Sequence, residues 1–401
     1  MKIRIITITC CLLTSIFVHA QKKELSEARS YIKSGKDYEK AEKLMTKLLD
    51  DNVANRNNID IYHTWYLAVM KQYDAANEKL YLKQQYDTAA FFNLTRRMYA
   101  ITESLDSIDM RPDKKGRIRP KYRKDHSEQM NVLRPNLYFG GNYYLRKAEY
   151  GKAFDFFNTY IDAANQPLFS EYRYDSTDTR MTTAAYWATY SGYKMQDATL
   201  VLKHSERALK DTAKAEYTLQ YMCEAYRWQE QDSLYAATLR IGFKHYPEHP
   251  YFFPRLEDYL TAQNQNDSAL AIANKALAIN GQNQLFMLAK SLSLLHLERY
   301  TECIETSEKL IALNDTMPEP YFNVATAYLN QALELEKLNE PRQYRTKLTE
   351  LYTAARPYME AYRKLSPDDR KRWAPALYRI YFNLNMGKQF DEIDRLMRNM
   401  K

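Results

Sequence analysis

The amino-acid sequence predicts an all-α fold built from repeated antiparallel helix pairs. Helix-breaking residues are scarce, with 9 Gly and 13 Pro among 401 residues. Apolar residues do not alternate with polar ones in the way that β-strands require. Small or medium-sized residues recur at a fixed interval of 34 residues, which is typical of a repeated helix-turn-helix unit.

The first 20 residues, 1–20, have the organisation of a secretory signal peptide. Lys2 and Arg4 form a short basic start, and residues 5–18 are mainly apolar. The segment ends with a small residue, Ala20, as a signal-peptidase cleavage site does. The apolar run is shorter than the ~20 residues that span a bilayer, which favours cleavage over a membrane anchor. We therefore expect a periplasmic or secreted protein of a bacterium, with no integral membrane span after signal cleavage.

The 34-residue interval is clearest in residues 182–338, which we expect to form a regular array. The residues at which a second helix should cross the first are Val201, Tyr235, Ala269 and Cys303, and the matching first-helix positions are Thr189, Cys223, Glu257, Ser291 and Ala325. Since no single helix pair can bury its apolar face alone, several pairs must stack.

The remaining ranges depart from this interval. We expect N-terminal helix pairs in residues 21–105, where either Ala76 or Ala89 could be a crossing residue. Residues 106–134 form a basic insertion, and residues 135–181 hold one helix pair and a loop insertion. Residues 339–401 should form an elongated helix and a C-terminal capping pair.

The residues at this period resemble the tetratricopeptide repeat (TPR) family. The best single match is the set Leu137, Gly140, Gly141, Tyr144, Tyr150, Ala153 and Phe157. The resemblance implies a right-handed superhelical solenoid, here of an exported bacterial type, whose concave wall is formed by the first helices. It also implies a scaffold for protein-protein interaction, and it specifies no ligand.

This resemblance assigns a set of side chains to the concave groove. They are Tyr138, Asn142, Tyr186, Tyr190, Tyr193, Tyr217, Gln220, Arg227 and Tyr251. Tyr presents a rigid, amphipathic contact surface at low entropic cost, so Tyr186, Tyr190 and Tyr193 are the leading candidates for a contact site. The alternative is that these rings pack between helices, since the chain contains 35 Tyr.

The positive charge of the chain is concentrated in one segment, residues 111–124, which contains eight basic residues and one acid. Pro112, Gly116 and Pro120 oppose a continuous helix there, so we expect these charges on a loop, the basic arm. Its cations are Arg111, Lys114, Lys115, Arg117, Arg119, Lys121, Arg123 and Lys124. The basic arm is either a solvated linker or a dock for an acidic protein or lipid surface. Export and a single aromatic residue argue against nucleic acid.

The sequence offers no recognisable catalytic constellation. It lacks a Gly-rich phosphate loop, His-Glu-x-x-His and Gly-x-Ser-x-Gly, and residues 21–401 lack Cys-x-x-Cys. Cys223 and Cys303 occupy crossing positions, where we expect packed thiols.

We therefore expect no enzymatic activity, no catalytic residues, no cofactor and no metal. The predicted function is an exported scaffold that binds a protein partner in cell-envelope assembly or transport. A periplasmic protein that binds a glycan or small ligand in the Tyr-lined groove is the alternative, and an enzyme with an unrecognised site is the third.

Overall fold

The computed structural model describes residues 21–338 and 341–399. The predicted signal peptide, residues 1–20, lies outside the described residues. The described chain is helical and contains no β-strand, so the predicted all-α fold of helix pairs is confirmed. It divides into two compact units, with the division between Tyr235 and Ala236.

Unit 1 contains twelve of the described helices and three short 3-10 turns. The helices are α1 (21–34), α2 (Tyr38–Asp51), α3 (Ile59–Tyr81), α4 (Thr88–Asp109), α5 (Arg123–Leu133), α6 (Pro135–Arg146), α7 (Tyr150–Asp162), α8 (Tyr174–Thr177), α9 (Met181–Lys194), α10 (Ala198–Lys203), α11 (Ser205–Ala208) and α12 (Ala215–Trp228). The 3-10 turns are Val53–Asn57, Ala163–Asn165 and Pro167–Tyr172.

Unit 2 contains the remaining described helices, of which the first begins just before the division. They are α13 (Asp232–His245), α14 (Phe252–Ala262), α15 (Asn266–Ile279), α16 (Gln284–His296), α17 (Tyr300–Leu313), α18 (Pro318–Lys337), α19 (Pro341–Leu365), α20 (Arg370–Asn383) and α21 (Gly387–Arg398). Helices α18 and α19, of 20 and 25 residues, are longer than the 14-residue helices α15 and α17.

The first helix of each regular pair ends in the same tight turn. One residue of that turn has a left-handed backbone: Gln196 (φ 56°), Glu230 (φ 56°), Asn264 (φ 56°) and Glu298 (φ 60°). These four residues follow one another at intervals of 34. In each turn the next amide donates to a carbonyl five residues earlier, as from Asp197 to Gly192 at 3.1 Å, which closes the first helix.

Most of the predicted crossing residues are fully buried. Val201, Ala269, Cys303, Thr189, Cys223, Ser291 and Ala325 have no exposed surface. Tyr235 and Glu257 are half-buried, so their assignment as crossing residues stays a prediction. In the N-terminal pairs neither Ala76 nor Ala89 is fully buried, whereas Ala68 is.

Glycine permits the closest approach between two helices. A methyl group added to Gly192 of α9 would lie 2.6 Å from the backbone nitrogen of Val201 in α10. Methyl groups on Gly140 and Gly141 of α6 would lie 2.6 and 2.7 Å from the rings of Phe156 and Phe157 in α7. At Gly192 the obstacle is backbone, which cannot rotate away as a side chain can.

A buried arginine holds the irregular segment 163–180 in place. The Arg134 guanidinium lies between the rings of Tyr160 and Tyr174, 3.8 Å from each centroid. It pairs with Asp178 and donates to the Tyr160 carbonyl at 3.0 Å. Tyr160 also donates from its hydroxyl to Asp178 at 2.6 Å. These contacts satisfy most of a charge that would be costly to bury alone.

We expect Gly192→Ala to lower the free energy of unfolding by about 1–3 kcal/mol, because the added methyl group meets backbone. Gly151→Ala in α7 is the matched control, since its methyl group would meet the Met195 sulfur at an ordinary 3.5 Å. Urea unfolding followed by circular dichroism measures both. Equal midpoints for the two variants would contradict the close approach of α9 and α10.

We expect Arg134→Met to lower the free energy of unfolding by about 3 kcal/mol, because Asp178 would be left without its cation. Arg96→Met is the control: Arg96 and Asp155 form an exposed pair at 3.1 Å, worth less than ~1 kcal/mol. Hydrogen exchange should also accelerate in residues 163–180 of Arg134→Met alone. Unchanged exchange there would show that the segment does not depend on the arginine.

Candidate functional site

The tyrosines of α9 form an aromatic cluster with α12. The ring of Tyr221 lies 6.2 Å from Tyr186, 5.9 Å from Tyr190 and 4.5 Å from Tyr193. Tyr193 also stacks on Trp228 at 6.0 Å. The arrangement is the one expected of rings that hold two neighbouring first helices together.

Burial corrects the prediction for two groove residues. Tyr186 is 7% exposed and Tyr251 is 5% exposed, so neither ring offers a surface to a partner. Burial also raises the pKa of Tyr186 and of Tyr221. Tyr190 and Tyr193 keep part of their surface. The alternative that Tyr rings pack between helices therefore applies to Tyr186 and Tyr251.

The other predicted groove residues are spread over α6 and α12. Tyr138 and Asn142 are half-buried, and the Asn142 amide donates to the Tyr138 carbonyl at 2.9 Å. Tyr217 is 42% exposed. Gln220 is half-buried, and the exposed Arg227 pairs with the buried Glu224. Their role in binding stays a prediction.

The basic arm is an ordered loop between α4 and α5. Its base is fixed by Asp109, the last residue of α4, whose carboxylate is buried. One oxygen of Asp109 accepts the backbone amide of Lys121 at 2.8 Å, and the other accepts that of Tyr122 at 2.7 Å. Both ends of the loop are therefore tied to the same carboxylate.

A second aspartate shapes the tip of the basic arm. Asp113 accepts the backbone amides of Lys115 and Arg117 at 2.8 and 3.0 Å. The Arg117 guanidinium pairs with the same carboxylate at 2.9 Å. Gly116 closes the turn with a left-handed backbone, φ 76°. These hydrogen bonds lower the pKa of Asp113. The tip is thus a defined turn.

The cations of the basic arm fall into two groups. The first group has partners within the fold. Arg117 pairs with Asp113, and Arg123 lies 3.4 Å from Asp106. Arg111 donates to the Asn57 side chain at 2.7 Å, and Lys124 lies 4.0 Å from Glu128. Among the described residues, no carboxylate lies within ion-pair distance of Lys114, Lys115, Arg119 or Lys121. These four carry the accessible positive charge.

The predicted extent of the loop is corrected at its end. Arg123 and Lys124 lie on the first turn of α5 rather than on the loop. Asp125 stands in the first turn of α5, near the positive end of the helix dipole, and so favours the start of the helix there. The guanidinium of Arg123 also donates to the Pro167 carbonyl.

Two histidines lie under the base of the basic arm. The His63 ring stacks on Tyr122 at 3.9 Å, and the His126 ring packs 4.3 Å from Tyr66. The two histidine rings are 5.7 Å apart. Burial lowers the pKa of both, that of His126 to about 4. Both rings are consequently neutral at physiological pH.

Sequence reasoning missed these anchors. His63 lies in α3, so only the folded chain brings it to Tyr122. For Asp109 the sequence does contain a signal. It is an acidic residue at the end of a helix, directly before the basic segment, and an Asp side chain in such a position can accept hydrogen bonds from backbone amides of the following loop.

Several properties concern the described residues as a whole. Cys223 and Cys303 are buried thiols, and burial raises the pKa of Cys303. No group of three His, Cys, Asp or Glu in residues 21–338 and 341–399 is arranged to hold a metal ion. No helix in these ranges has the length and apolar character needed to cross a membrane.

Comparison with solved structures gives only distant likeness. The C-terminal part of a TPR repeat-containing protein from Cytophaga hutchinsonii matches with a TM-score of 0.43 at 13% identity, over 63% of this chain and 91% of that one. Yeast Tom70 matches with a TM-score of 0.35 at 14% identity, over 94% of each chain. The TPR domain of P58(IPK) matches with a TM-score of 0.28 at 12% identity, over 92% and 99%.

No protein-family model and no curated protein matches the chain. The TPR-like fold predicted from the sequence is confirmed, and the chain's own 34-residue spacing of left-handed turns is the feature that supports it. The likeness concerns fold and carries no partner or activity over to this protein.

We expect stability to fall as the pH drops from about 6.5 towards about 4, because unfolded histidine binds a proton in this window while folded His126 does not. His126→Gln should flatten this dependence by up to about 1.4 kcal/mol per pH unit. Urea unfolding at several pH values measures it, and NMR of the histidine ring reports its titration directly. A His126 ring that titrates near 6.5 would contradict the burial of this site.

Proposed function

We propose that the protein is an exported TPR-type scaffold that holds a protein partner, and that it acts in cell-envelope assembly or transport. Export is supported by the signal-like residues 1–20. The basic arm supports partner binding: it is an ordered, exposed loop with four cations that no carboxylate in the described chain neutralises. Its partner should present an acidic protein surface.

The hydrogen bonds of the basic arm favour docking over a solvated linker. Asp109 and Asp113 fix the loop at its base and at its tip. A loop that is ordered before contact loses little conformational entropy on binding. Its exposed charges would also accelerate the encounter with an acidic partner.

The one aromatic ring of the basic arm is already engaged within the fold. Tyr122 stacks on His63 at 3.9 Å, and the Lys121 ammonium lies 4.7 Å from its ring centroid. Proteins that bind single-stranded nucleic acid stack bases on free aromatic rings. The geometry therefore favours a protein partner over single-stranded nucleic acid.

A site-specific cross-linker tests this proposal. A photoreactive residue at Lys115, on the exposed tip of the basic arm, should capture a defined partner in intact cells, whereas one at the exposed Thr212 should not. The scaffold in the cross-linked product should begin at Gln21 if the signal peptide is removed, which mass spectrometry of its N-terminal peptide would establish.

Charge reversal then tests the mechanism. Lys114→Glu, Lys115→Glu and Arg119→Glu together should reduce capture about tenfold, because attraction becomes repulsion. Since Lys115 is itself changed in this variant, the photoreactive residue is placed at Ile118, which is 52% exposed. The unaltered arm with the same photoreactive residue at Ile118 gives the reference level of capture.

A second triple variant controls for net charge. Lys33→Glu, Lys36→Glu and Lys210→Glu change the net charge equally, at exposed positions that form no ion pair with a described residue, and should leave capture from Ile118 unchanged. Equal capture by the two triple variants would overturn the proposal.

A further inference from the structure

We propose that unit 2 carries a docking groove for an acidic amphipathic helix of a partner protein. The groove lies between α13 and α15 and encloses about 490 Å³. This inference concerns a different surface from the basic arm, and it adds to the proposed scaffold function a second contact and the chemistry of its occupant.

The floor of the groove is apolar and belongs to the core of unit 2. Phe243 of α13 is 7% exposed, and Leu256 and Leu260 of α14 are at most 1% exposed. The wall formed by α15 is also apolar but accessible, with Ile272 half-buried and Ile279 57% exposed. The floor residues leave almost no surface for a ligand, so an occupant would remove apolar surface from water at Ile272 and Ile279, which favours binding.

Cations stand on both walls of the groove. Arg240 and Lys244 are one helical turn apart on α13, and Lys275 faces them from α15. All three are exposed and make no ion pair with a described residue, and no carboxylate lines the groove. An occupant with acidic residues along both flanks would match this arrangement.

The dimensions of the wall fit a short helix. Ser268, Ile272, Lys275 and Ile279 are spaced along one face of α15, and the distance from the first to the last is about 16 Å at the rise of an α-helix. That length accommodates three turns of a partner helix, whose apolar face would pack against Ile272 and Ile279 in the helix-in-groove mode. The open side of the groove suits a helix with a polar outer face. A lipid chain would remain half in water there.

A synthetic peptide tests the groove on the full mature chain. The probe is a fluorescein-labelled peptide of three helical turns with Leu at positions i, i+3, i+4 and i+7 and Glu on both flanks. Fluorescence anisotropy should show saturable binding. A peptide with Gln in place of the flanking Glu, and one with the same residues in scrambled order, should bind about tenfold more weakly or not at all.

Variants then locate the binding. Arg240→Glu, Lys244→Glu and Lys275→Glu together should weaken binding about tenfold. The matched triple Lys309→Glu, Lys337→Glu and Lys388→Glu, at exposed positions of the same unit that form no ion pair with a described residue, should not. Ala271→Trp, at an exposed position of the α15 wall, should block the groove without a change of charge.

The outcomes separate this inference from the proposed function. The inference is overturned if the Glu peptide does not bind, if the two triple variants bind it equally, or if palmitate displaces it more effectively than unlabelled peptide does. Charge reversal in the basic arm should leave peptide binding unchanged. If the unaltered basic arm captures no partner while the peptide still binds, the proposed dock is overturned and the inference about the groove is not.

Discussion

The close approach of the two helices within a pair is the constraint on which the helical array depends. Gly192 lets α9 lie against the backbone of α10, and Gly140 and Gly141 let α6 lie against the rings of α7. Large aromatic side chains also fill the gap between successive pairs. The Tyr186 and Tyr221 rings fill that gap between α9 and α12. A glycine on one helix thus makes room for the backbone or a ring of its partner, and aromatic rings join successive pairs.

Where the repeat is interrupted, buried charged groups hold the chain in addition to apolar packing. The basic arm is held by the carboxylate of Asp109, and the segment 163–180 is held by the guanidinium of Arg134. The segment 163–180 also buries Ala163, Leu168, Phe169 and Tyr174 in the hydrophobic core. A charged group that forms hydrogen bonds or ion pairs with several partners at once fixes their relative positions, because these interactions depend on direction and hydrophobic contacts do not.

The sequence predicted the features that follow from periodicity. The helix pairs, the burial of Val201 and Cys303 and a non-helical basic loop all depend on residue spacing or on Pro and Gly. Features that depend on contacts between distant segments were missed or misjudged. Tyr186 has the spacing of a groove residue, but the neighbouring ring of Tyr221 covers it.

The same limit applies to the histidines and to the groove of unit 2. His63 and His126 are 63 residues apart in the sequence, and no local pattern connects them. The groove combines side chains of α13, α14 and α15, so its cations look like ordinary exposed residues when each helix is considered separately. Periodicity identifies which face of a helix is buried, and it does not identify what the neighbouring helix places beside that face.

The left-handed turns have a consequence for the evolution and design of this array. None of their four residues, Gln196, Glu230, Asn264 and Glu298, is glycine, although a residue with a Cβ atom pays about 1 kcal/mol for this backbone conformation. All four are exposed and lie away from the helix crossings. Each repeat therefore holds a reserve of stability at one surface position, and substitution there could tune the repeats one by one without disturbing the core or either binding surface.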